Sequence, residues 1–175
     1  MQKEYIAQLR EEAKKYYEEL FIISMLKTNK HSQFSKSVGA DSFIVRQPYI
    51  KDSLLESINV IPYSEIMNEY IFAYKSSDSS EIPNIFNAYD NTPRREKKNS
   101  LIVKDTSPIL FKKYLYKLFS IQKNSSFDTG LLYLTAWNEW GEGNYFEPCK
   151  NYHDEYLKVI KEFTLLQKIE NNNEK

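Results

Sequence analysis

The chain has 175 residues, enough for one domain with a substantial core, because a domain near this size buries roughly 70% of its unfolded surface. Lysine plus arginine and aspartate plus glutamate both total 24, so no net charge is available to bind nucleic acid or an anionic membrane surface. The single cysteine, Cys149, excludes an internal disulfide and favours a reducing compartment, and the two histidines, His31 and His153, lack metal-ligand spacing.

The N-terminal segment 1–20 is predicted to form an amphipathic helix. Apolar side chains recur at helical spacing between charged positions, from Ile6 to Leu20. The segment does not resemble a signal peptide, and no run in the chain approaches the ~18 apolar residues of a membrane span. We therefore expect a soluble, cytoplasmic protein with no membrane span, no nucleic-acid partner, no metal and no cofactor.

Two strands are predicted next in the chain. Residues 21–26 are almost continuously apolar, which is typical of a strand covered on both faces. Residues 41–46 form a second β-rich run, and Pro48 lies at its end because a proline cannot join a β-ladder. A polar stretch, 27–36, connects the two strands.

Two helices and a weaker strand follow. The second helix is predicted to start with Ser64 as its cap and to continue to Tyr74. A third strand is predicted over 81–87, followed by a polar loop. The third helix has cap candidates in 105–107 and a proline, Pro108, at its first position.

A fourth strand over 130–137 and a last helix over 156–166 complete the pattern. Alternating strands and helices favour parallel βαβ connections and hence an α/β fold. Because no glycine-rich phosphate loop is found, a barrel-type sheet is favoured over a nucleotide-binding one. A complete (β/α)8 TIM barrel takes about 250 residues. We therefore predict a half-barrel of about four βα units over residues 1–169, with a frayed tail over 170–175.

The loop after the fourth strand, 138–148, holds the strongest candidate site. It carries three carboxylates among aromatic residues and includes two of the four glycines of the chain. In parallel α/β folds, such loops collect ligand-binding side chains at the carboxyl ends of the strands. Glycosidic bond chemistry needs one carboxyl group that delivers a proton and another that stabilises positive charge. Glu139 and Glu142 are the predicted catalytic pair.

Other side chains of this loop are predicted to bind a sugar. Aromatic rings offer apolar faces to the C–H side of a sugar ring, and amides can hydrogen-bond its hydroxyl groups. A structural alternative stays open, in which both tryptophans anchor the core and the glutamates form a solvated turn. The predicted substrate-binding residues of this loop are Trp137, Asn138, Trp140, Asn144, Tyr145, Phe146 and Glu147.

The loop after the third strand holds two further candidates. Asp90 could bind a sugar hydroxyl or orient a glutamate, and Arg94 could pair with a carboxylate. The alternative is that residues 90–93 form an ordinary turn and that Arg94 satisfies Asp90. Gln47, at the end of the second strand, is a weaker candidate for a polar contact at the same rim.

Residues 137–148 resemble the glycoside hydrolase family 99-like group, often called WbsX-like, which is associated with bacterial surface polysaccharide biosynthesis. Segment 89–95 resembles the Trp-Asp-Asn-Thr-Pro-Arg motif of the same group, with Tyr89 where tryptophan is usual. Order and spacing agree over most of the chain. The resemblance implies the C-terminal half of a (β/α)8 barrel that acts on a glycan or sugar-nucleotide substrate in O-antigen, lipopolysaccharide or capsule metabolism.

Family 99 endo-mannosidases have a similar Glu-Trp-His-Glu segment, onto which Glu139 and Glu142 map. The resemblance implies that the first glutamate assists the 2-hydroxyl group of the substrate and that the second is the general acid and base. Gly141 stands where those enzymes have histidine, which separates this chain from them. The WbsX-like group is described as glycosyltransferase-like, so hydrolysis and transfer are both open.

The resemblance also implies that four N-terminal βα units are missing. An open half-barrel exposes apolar strand edges. A neighbouring polypeptide could supply a complementing N-terminal half-barrel, or the chain could self-associate. A non-catalytic glycan-binding module and an inactive truncated fragment are the alternatives to an enzyme.

Overall fold

The computed structural model describes residues 2–17, 19–49, 60–76, 80–95, 100–125 and 129–173. These residues form a mixed α/β fold, as predicted. The helices are α1 (Gln2–Ala13), α2 (Ser32–Ser37), α3 (Tyr63–Lys75), α4 (Pro108–Lys123) and α5 (Glu155–Asn173). The strands are β1 (Ile23–Leu26), β2 (Ser42–Val45), β3 (Val60–Pro62), β4 (Asn84–Phe86), β5 (Tyr89–Asp90), β6 (Ile102–Lys104), β7 (Tyr133–Thr135), β8 (Asn138–Glu139) and β9 (Asn144–Tyr145).

The four strands expected from the apolar runs lie side by side in the order β1-β2-β4-β7. β1 pairs with β2 and β4 pairs with β7, both in parallel. A parallel bridge between Phe43 and Glu81 joins the two pairs, and Asn84 Nδ2 donates to the Val45 carbonyl at 3.0 Å. The Thr135 hydroxyl donates to Oδ1 of the same asparagine at 2.9 Å. All four predicted strands are confirmed, although the described strands do not close into a barrel.

Five further strands, β3, β5, β6, β8 and β9, were not predicted, and each has only two or three residues. β6 pairs in parallel with β3 and antiparallel with β5. β8 and β9 form an antiparallel pair. β3 and β6 lead into α3 and α4, so they set where these helices begin. β5 follows β4, and the β8–β9 pair follows β7, in the loops that carry the candidate site.

The start of α4 is confirmed, whereas the start of α3 differs from the prediction. Ser107 Oγ accepts from the Leu110 N–H at 3.2 Å, with Pro108 in the first turn of α4. The prediction of Ser64 as the cap of α3 is wrong, because Pro62 occupies the cap position and makes no side-chain capping bond. Pro62 is also the last residue of β3. The chain therefore passes from strand to helix with no residue left between them for a polar cap.

Helices α1 and α5 differ in length from the expected ones, and α2 was not predicted. α1 ends at Ala13 because the chain turns back there, bringing the Leu20 carbonyl to Arg10 Nη1 at 2.6 Å. α2 lies partly within the polar stretch between the first two strands, and its six residues are too few for an amphipathic pattern. α5 continues to Asn173, into the predicted frayed tail, and the last two residues lie outside the described part. None of the described helices combines the length and apolar character that crossing a membrane requires.

The core lies between the parallel strands and helices α3, α4 and α5, and aromatic rings dominate it. Tyr63 contacts Phe86 and Tyr114 edge-on, with ring centroids 5.1 and 5.7 Å apart. The Tyr63 hydroxyl donates to the Phe86 carbonyl at 2.7 Å, which satisfies its polar group inside the core. Phe111 of α4 contacts Phe146 at 5.2 Å. This last contact fixes the loop after β7 to the core.

Candidate active site

The two loops with candidate residues lie side by side. β4 and β7 pair in parallel with Phe86 opposite Thr135, so their loops leave the same edge of the array. Asn87, directly after β4, donates from Nδ2 to the Tyr145 carbonyl in the other loop. β5 also contacts a 3₁₀ turn formed by Trp140–Glu142. The expectation that both loops share one rim is therefore confirmed.

Glu139 and Glu142 meet at a single arginine. Arg94 Nη2 lies 2.5 Å from Glu139 Oε1 and donates a hydrogen bond to it. Arg94 Nη1 lies 3.4 Å from Glu142 Oε1. The Glu139 side chain is 41% exposed and that of Glu142 is 17% exposed, so the two carboxylates differ in their access to solvent. Three predicted site residues from two different loops thus lie together.

The turn that presents these glutamates depends on Gly143. This glycine ends the 3₁₀ turn with φ 59°, and its N–H donates to the Trp140 carbonyl at 3.1 Å. Such a left-handed conformation favours glycine. A Cβ at this position would also lie 3.4 Å from the backbone nitrogen of Asp90. The turn therefore packs against the first loop and brings both glutamates within reach of Arg94.

Asp90 shapes the first loop. Its Oδ1 accepts hydrogen bonds from the Thr92 N–H at 2.9 Å and from the Thr92 hydroxyl at 2.7 Å. The Arg94 N–H donates to the Asn91 carbonyl at 3.0 Å. These contacts are ordinary turn chemistry. The half-buried Asp90 therefore supports the loop that carries Arg94, and its binding of a sugar hydroxyl stays a prediction.

Trp137 and Trp140 lie at the protein surface. They are 56% and 49% exposed, so the alternative in which both anchor the core is wrong. The Trp140 ring stacks on Tyr145, with centroids 3.6 Å apart and an interplanar angle of 15°. Trp140 Nε1 donates to Glu147 Oε2 at 2.6 Å. Tyr145 and Glu147 thus hold the Trp140 ring, which presents a flat apolar surface of the kind that binds sugar rings. Asn138, two residues earlier in the chain, is also exposed.

Two residues predicted to contact a sugar directly lie beneath the loop instead. Asn144 is 2% exposed, and its Oδ1 accepts from the Ala136 N–H at 3.1 Å. Phe146 is 2% exposed and belongs to the core. Alternate side chains of an extended segment point to opposite faces, so Asn144 and Phe146 point inward when Tyr145 points outward. Gln47 is also buried, and its Oε1 accepts from the N–H two residues later at 2.7 Å.

Tyr89 belongs to the site although it was not among the predicted binding residues. Burial and the neighbouring Glu142 carboxylate raise the pKa of the Tyr89 hydroxyl above its ordinary value of 10.0, while Asn91 and Arg46 act in the opposite direction. Asn91 Nδ2 donates to this hydroxyl at 3.4 Å. Near neutral pH the hydroxyl is therefore protonated and can donate to Glu142. Two positions in the sequence could have indicated these residues. Tyr89 is next to Asp90 in the chain, and Arg46 directly follows β2.

No group of three or more histidine, cysteine or acidic side chains within the described ranges could hold a metal ion. His31 precedes α2 without a side-chain capping bond, and His153 pairs with Cys149 through the backbone. Neither histidine is among the contacts of Glu139 or Glu142 described above.

The α/β fold, together with a family match over most of the chain, places it among carbohydrate-active, enzyme-like domains. Its parallel strands β4 and β7 end in loops that bring two carboxylates together beside an exposed tryptophan. The family model described as Glycosyltransferase WbsX matches residues 2–160, and the chain belongs to this family. No curated protein sequence matches the chain.

Among solved structures, the chain is similar to a GH99 endo-alpha-mannosidase from Bacteroides thetaiotaomicron. The structure of its complex with bis-tris-propane matches at 16% sequence identity and a TM-score of 0.48. The matched region covers 85% of this chain and 48% of the enzyme. A second structure of the enzyme matches at 17% sequence identity and a TM-score of 0.48. Here the matched region covers 82% of this chain and 44% of the enzyme. The chain thus spans about half the length of these relatives.

Proposed function

We propose that the chain carries the glycosidic-bond chemistry of a carbohydrate-active enzyme, with Glu139 and Glu142 as the acid/base pair. The observation that carries this proposal is the convergence of both carboxylates on Arg94, in the loop that exposes the Trp140 ring. Glycosidic bonds react through an oxocarbenium-like state, in which one carboxyl group transfers a proton and the other stabilises positive charge. The unequal solvent exposure of the two glutamates supports unlike roles for them.

The residues around the pair supply the binding surface. Trp137 and Trp140 bind the apolar face of a sugar ring, and the exposed Asn138 hydrogen-bonds a hydroxyl group. Tyr145 and Glu147 act through Trp140, because one stacks on its ring and the other accepts from its indole N–H. The exposed part of the site is thus suited to a ring-shaped ligand such as a sugar.

The substrate is a glycan or sugar nucleotide of bacterial surface polysaccharide metabolism, such as O-antigen, lipopolysaccharide or capsule. The family description supports transfer of a sugar to a hydroxyl acceptor. Hydrolysis is the outcome when water takes the place of that acceptor, and the same two carboxylates serve both reactions. The single cysteine fits work in a reducing compartment such as the cytoplasm.

The parallel array is proposed to be the C-terminal half of a (β/α)8 barrel. The order of the parallel strands supports a half-barrel. Apolar side chains on the two outer strands also support it, because Met25 on β1 is 69% exposed and Tyr133 on β7 is 39% exposed. Exposed edge strands tend to pair with further strands. A complementing N-terminal half-barrel, or a second copy of the chain, would cover these edges and complete the sugar site.

Replacing Glu139 or Glu142 with glutamine tests the enzyme proposal, because glutamine keeps the size of the side chain but cannot exchange a proton. We expect turnover to fall by roughly 100-fold or more with the unfolding temperature unchanged. Products from bacterial surface polysaccharides and sugar nucleotides are measured by mass spectrometry, with the chain alone and with a complementing half-barrel. Glu162→Gln, at an exposed site on α5, is the control. If both variants keep full turnover, Glu139 and Glu142 are not the acid/base pair.

A non-catalytic glycan-binding module is the second candidate, and the exposed, stacked ring of Trp140 favours it. In that case Trp140→Ala weakens glycan binding about tenfold in calorimetry, Glu142→Gln has little effect, and no turnover is found. The enzyme proposal instead predicts that Glu142→Gln retains binding and loses turnover. A chain that neither binds nor turns over glycans, even with the complementing half, is an inactive fragment.

A further inference from the structure

Arg94 directs both of its terminal nitrogens at the proposed acid/base pair. Nη2 donates to Glu139, and Nη1 faces Glu142. Both terminal nitrogens of this guanidinium thus face carboxylates of the protein itself. The contacts of Arg94 are therefore those of a group that holds two protein side chains relative to each other.

Gly141, between the two glutamates in the chain, lies against this guanidinium. A Cβ at Gly141 would come within 2.7 Å of Arg94 Nε and Nη2 and within 3.0 Å of Arg94 Cζ. These distances are too short for real carbon contacts, so any side chain at this position would displace the guanidinium. Unlike Gly143, Gly141 is not in the left-handed region. The site therefore requires that residue 141 have no side chain, whereas it does not require an unusual backbone conformation there.

Displacing the guanidinium would leave two carboxylates near each other without the cation between them. Like charges at short range repel, and an intervening cation offsets that repulsion. Because Glu139 is substantially exposed, solvent screens the gain in stability from the ion pairs. The main consequence of the arrangement is geometric: one planar group fixes where both carboxylates point.

We propose that Arg94 is the positioning residue of this site and that Gly141 is the position that admits it. The proposal rests on the proposed function for the roles of Glu139 and Glu142, but the arrangement itself can be tested without a substrate. A larger residue at position 141 would displace the guanidinium, so a different group would have to hold the two carboxylates.

The first test is a double-mutant cycle on the full chain, followed by thermal unfolding. In the wild-type background, Gly141→Ala is expected to give no rise in the unfolding temperature, or a small drop, because the guanidinium must shift to admit the new Cβ. In an Arg94→Ala background the same substitution should raise the unfolding temperature by about 1–4 °C, because alanine restricts the unfolded chain and no longer meets a guanidinium. Arg95→Ala is the matched control background, in which Gly141→Ala should have the same effect on the unfolding temperature as in the wild-type chain. An equal change in all three backgrounds, whether a rise, a drop or none, would overturn the proposal.

The second test follows the Nε–Hε signal of Arg94 by NMR in the ligand-free chain. The signal is assigned by its loss in Arg94→Ala. We expect Gly141→Ala and Glu139→Gln each to shift or broaden it, because both substitutions change the surroundings of the guanidinium. Trp137→Ala, elsewhere in the same loop, should leave it in place. An unshifted signal in Gly141→Ala would show that the guanidinium does not lie on this glycine, contrary to the proposal.

The two proposals can fail separately. If Glu139→Gln loses turnover but the cycle finds no coupling between Arg94 and Gly141, the proposed function stands and the positioning role is wrong. If the coupling is found and no glycan is turned over, the positioning of the two carboxylates stands and the enzyme proposal is wrong.

Discussion

Phe146 and Trp137 are aromatic residues of the same loop, but their surroundings differ. Phe146 is almost fully buried against Phe111 and Tyr156, whereas more than half of Trp137 faces solvent. We expect Phe146→Ala to lower the free energy of unfolding by about 3–5 kcal/mol, because it removes a buried ring and leaves a cavity. Trp137→Ala, the matched control, should change it by about 0.5 kcal/mol or less. Urea unfolding measures both, and equal effects would contradict the assignment of Phe146 to the core.

Buried tyrosines make the stability of the fold sensitive to alkali. Burial raises the pKa of Tyr63 and of Tyr70 well above the ordinary value of 10.0, with a further increase at Tyr70 from Glu81. Above about pH 10 the unfolded chain therefore loses protons that the folded chain keeps, so the free energy of unfolding falls as pH rises.

Denaturant unfolding across this pH range measures the effect. We expect Tyr63→Phe and Tyr70→Phe each to reduce the slope of the free energy of unfolding against pH. Tyr16→Phe, at an exposed site, should leave the slope unchanged. A free energy of unfolding that stays constant up to about pH 11 would contradict the prediction.

At the scale of single elements, two serines near helix starts provide a matched pair. Ser107 caps α4 because its side-chain oxygen accepts a hydrogen bond from the Leu110 N–H, whereas α3 begins at Tyr63 without any side-chain cap, next to Ser64. Ser107→Ala should therefore lower the free energy of unfolding by about 1 kcal/mol. Ser64→Ala should change it by about 0.5 kcal/mol or less. Equal losses in chemical denaturation would show that the bond to Leu110 does not stabilise α4.

For the whole molecule, the open edges of the parallel array predict association. Met25 and Tyr133 expose apolar surface on the outer strands β1 and β7. We expect sedimentation velocity to detect concentration-dependent association of the chain, and Met25→Lys with Tyr133→Lys to weaken it, because a charge on an edge strand opposes pairing. Tyr16→Lys, at an exposed site outside the array, is the control. A wild-type chain that stays monomeric at high concentration would contradict the prediction.

The main elements of the fold could be predicted because their signals are local. Apolar runs mark β1, β2, β4 and β7, and a serine followed by a proline marks the start of α4. β3 and β6 were not predicted, because neither stands in an apolar run as long as those of the four predicted strands, and each is defined by its pairing with the other. Because β3 ends at Pro62, this residue rather than Ser64 occupies the cap position of α3.

The sequence by itself determined the α/β class, the motif of the WbsX family and which two loops carry polar and aromatic side chains. Local pattern and residue type suffice for these properties. Only the tertiary structure decided that Arg94 joins Glu139 to Glu142, that Gly141 makes room for it, and that Asn144 lies inside while Trp140 faces outward. These properties depend on how two loops far apart in the chain pack together, and residue spacing along the chain does not specify that packing.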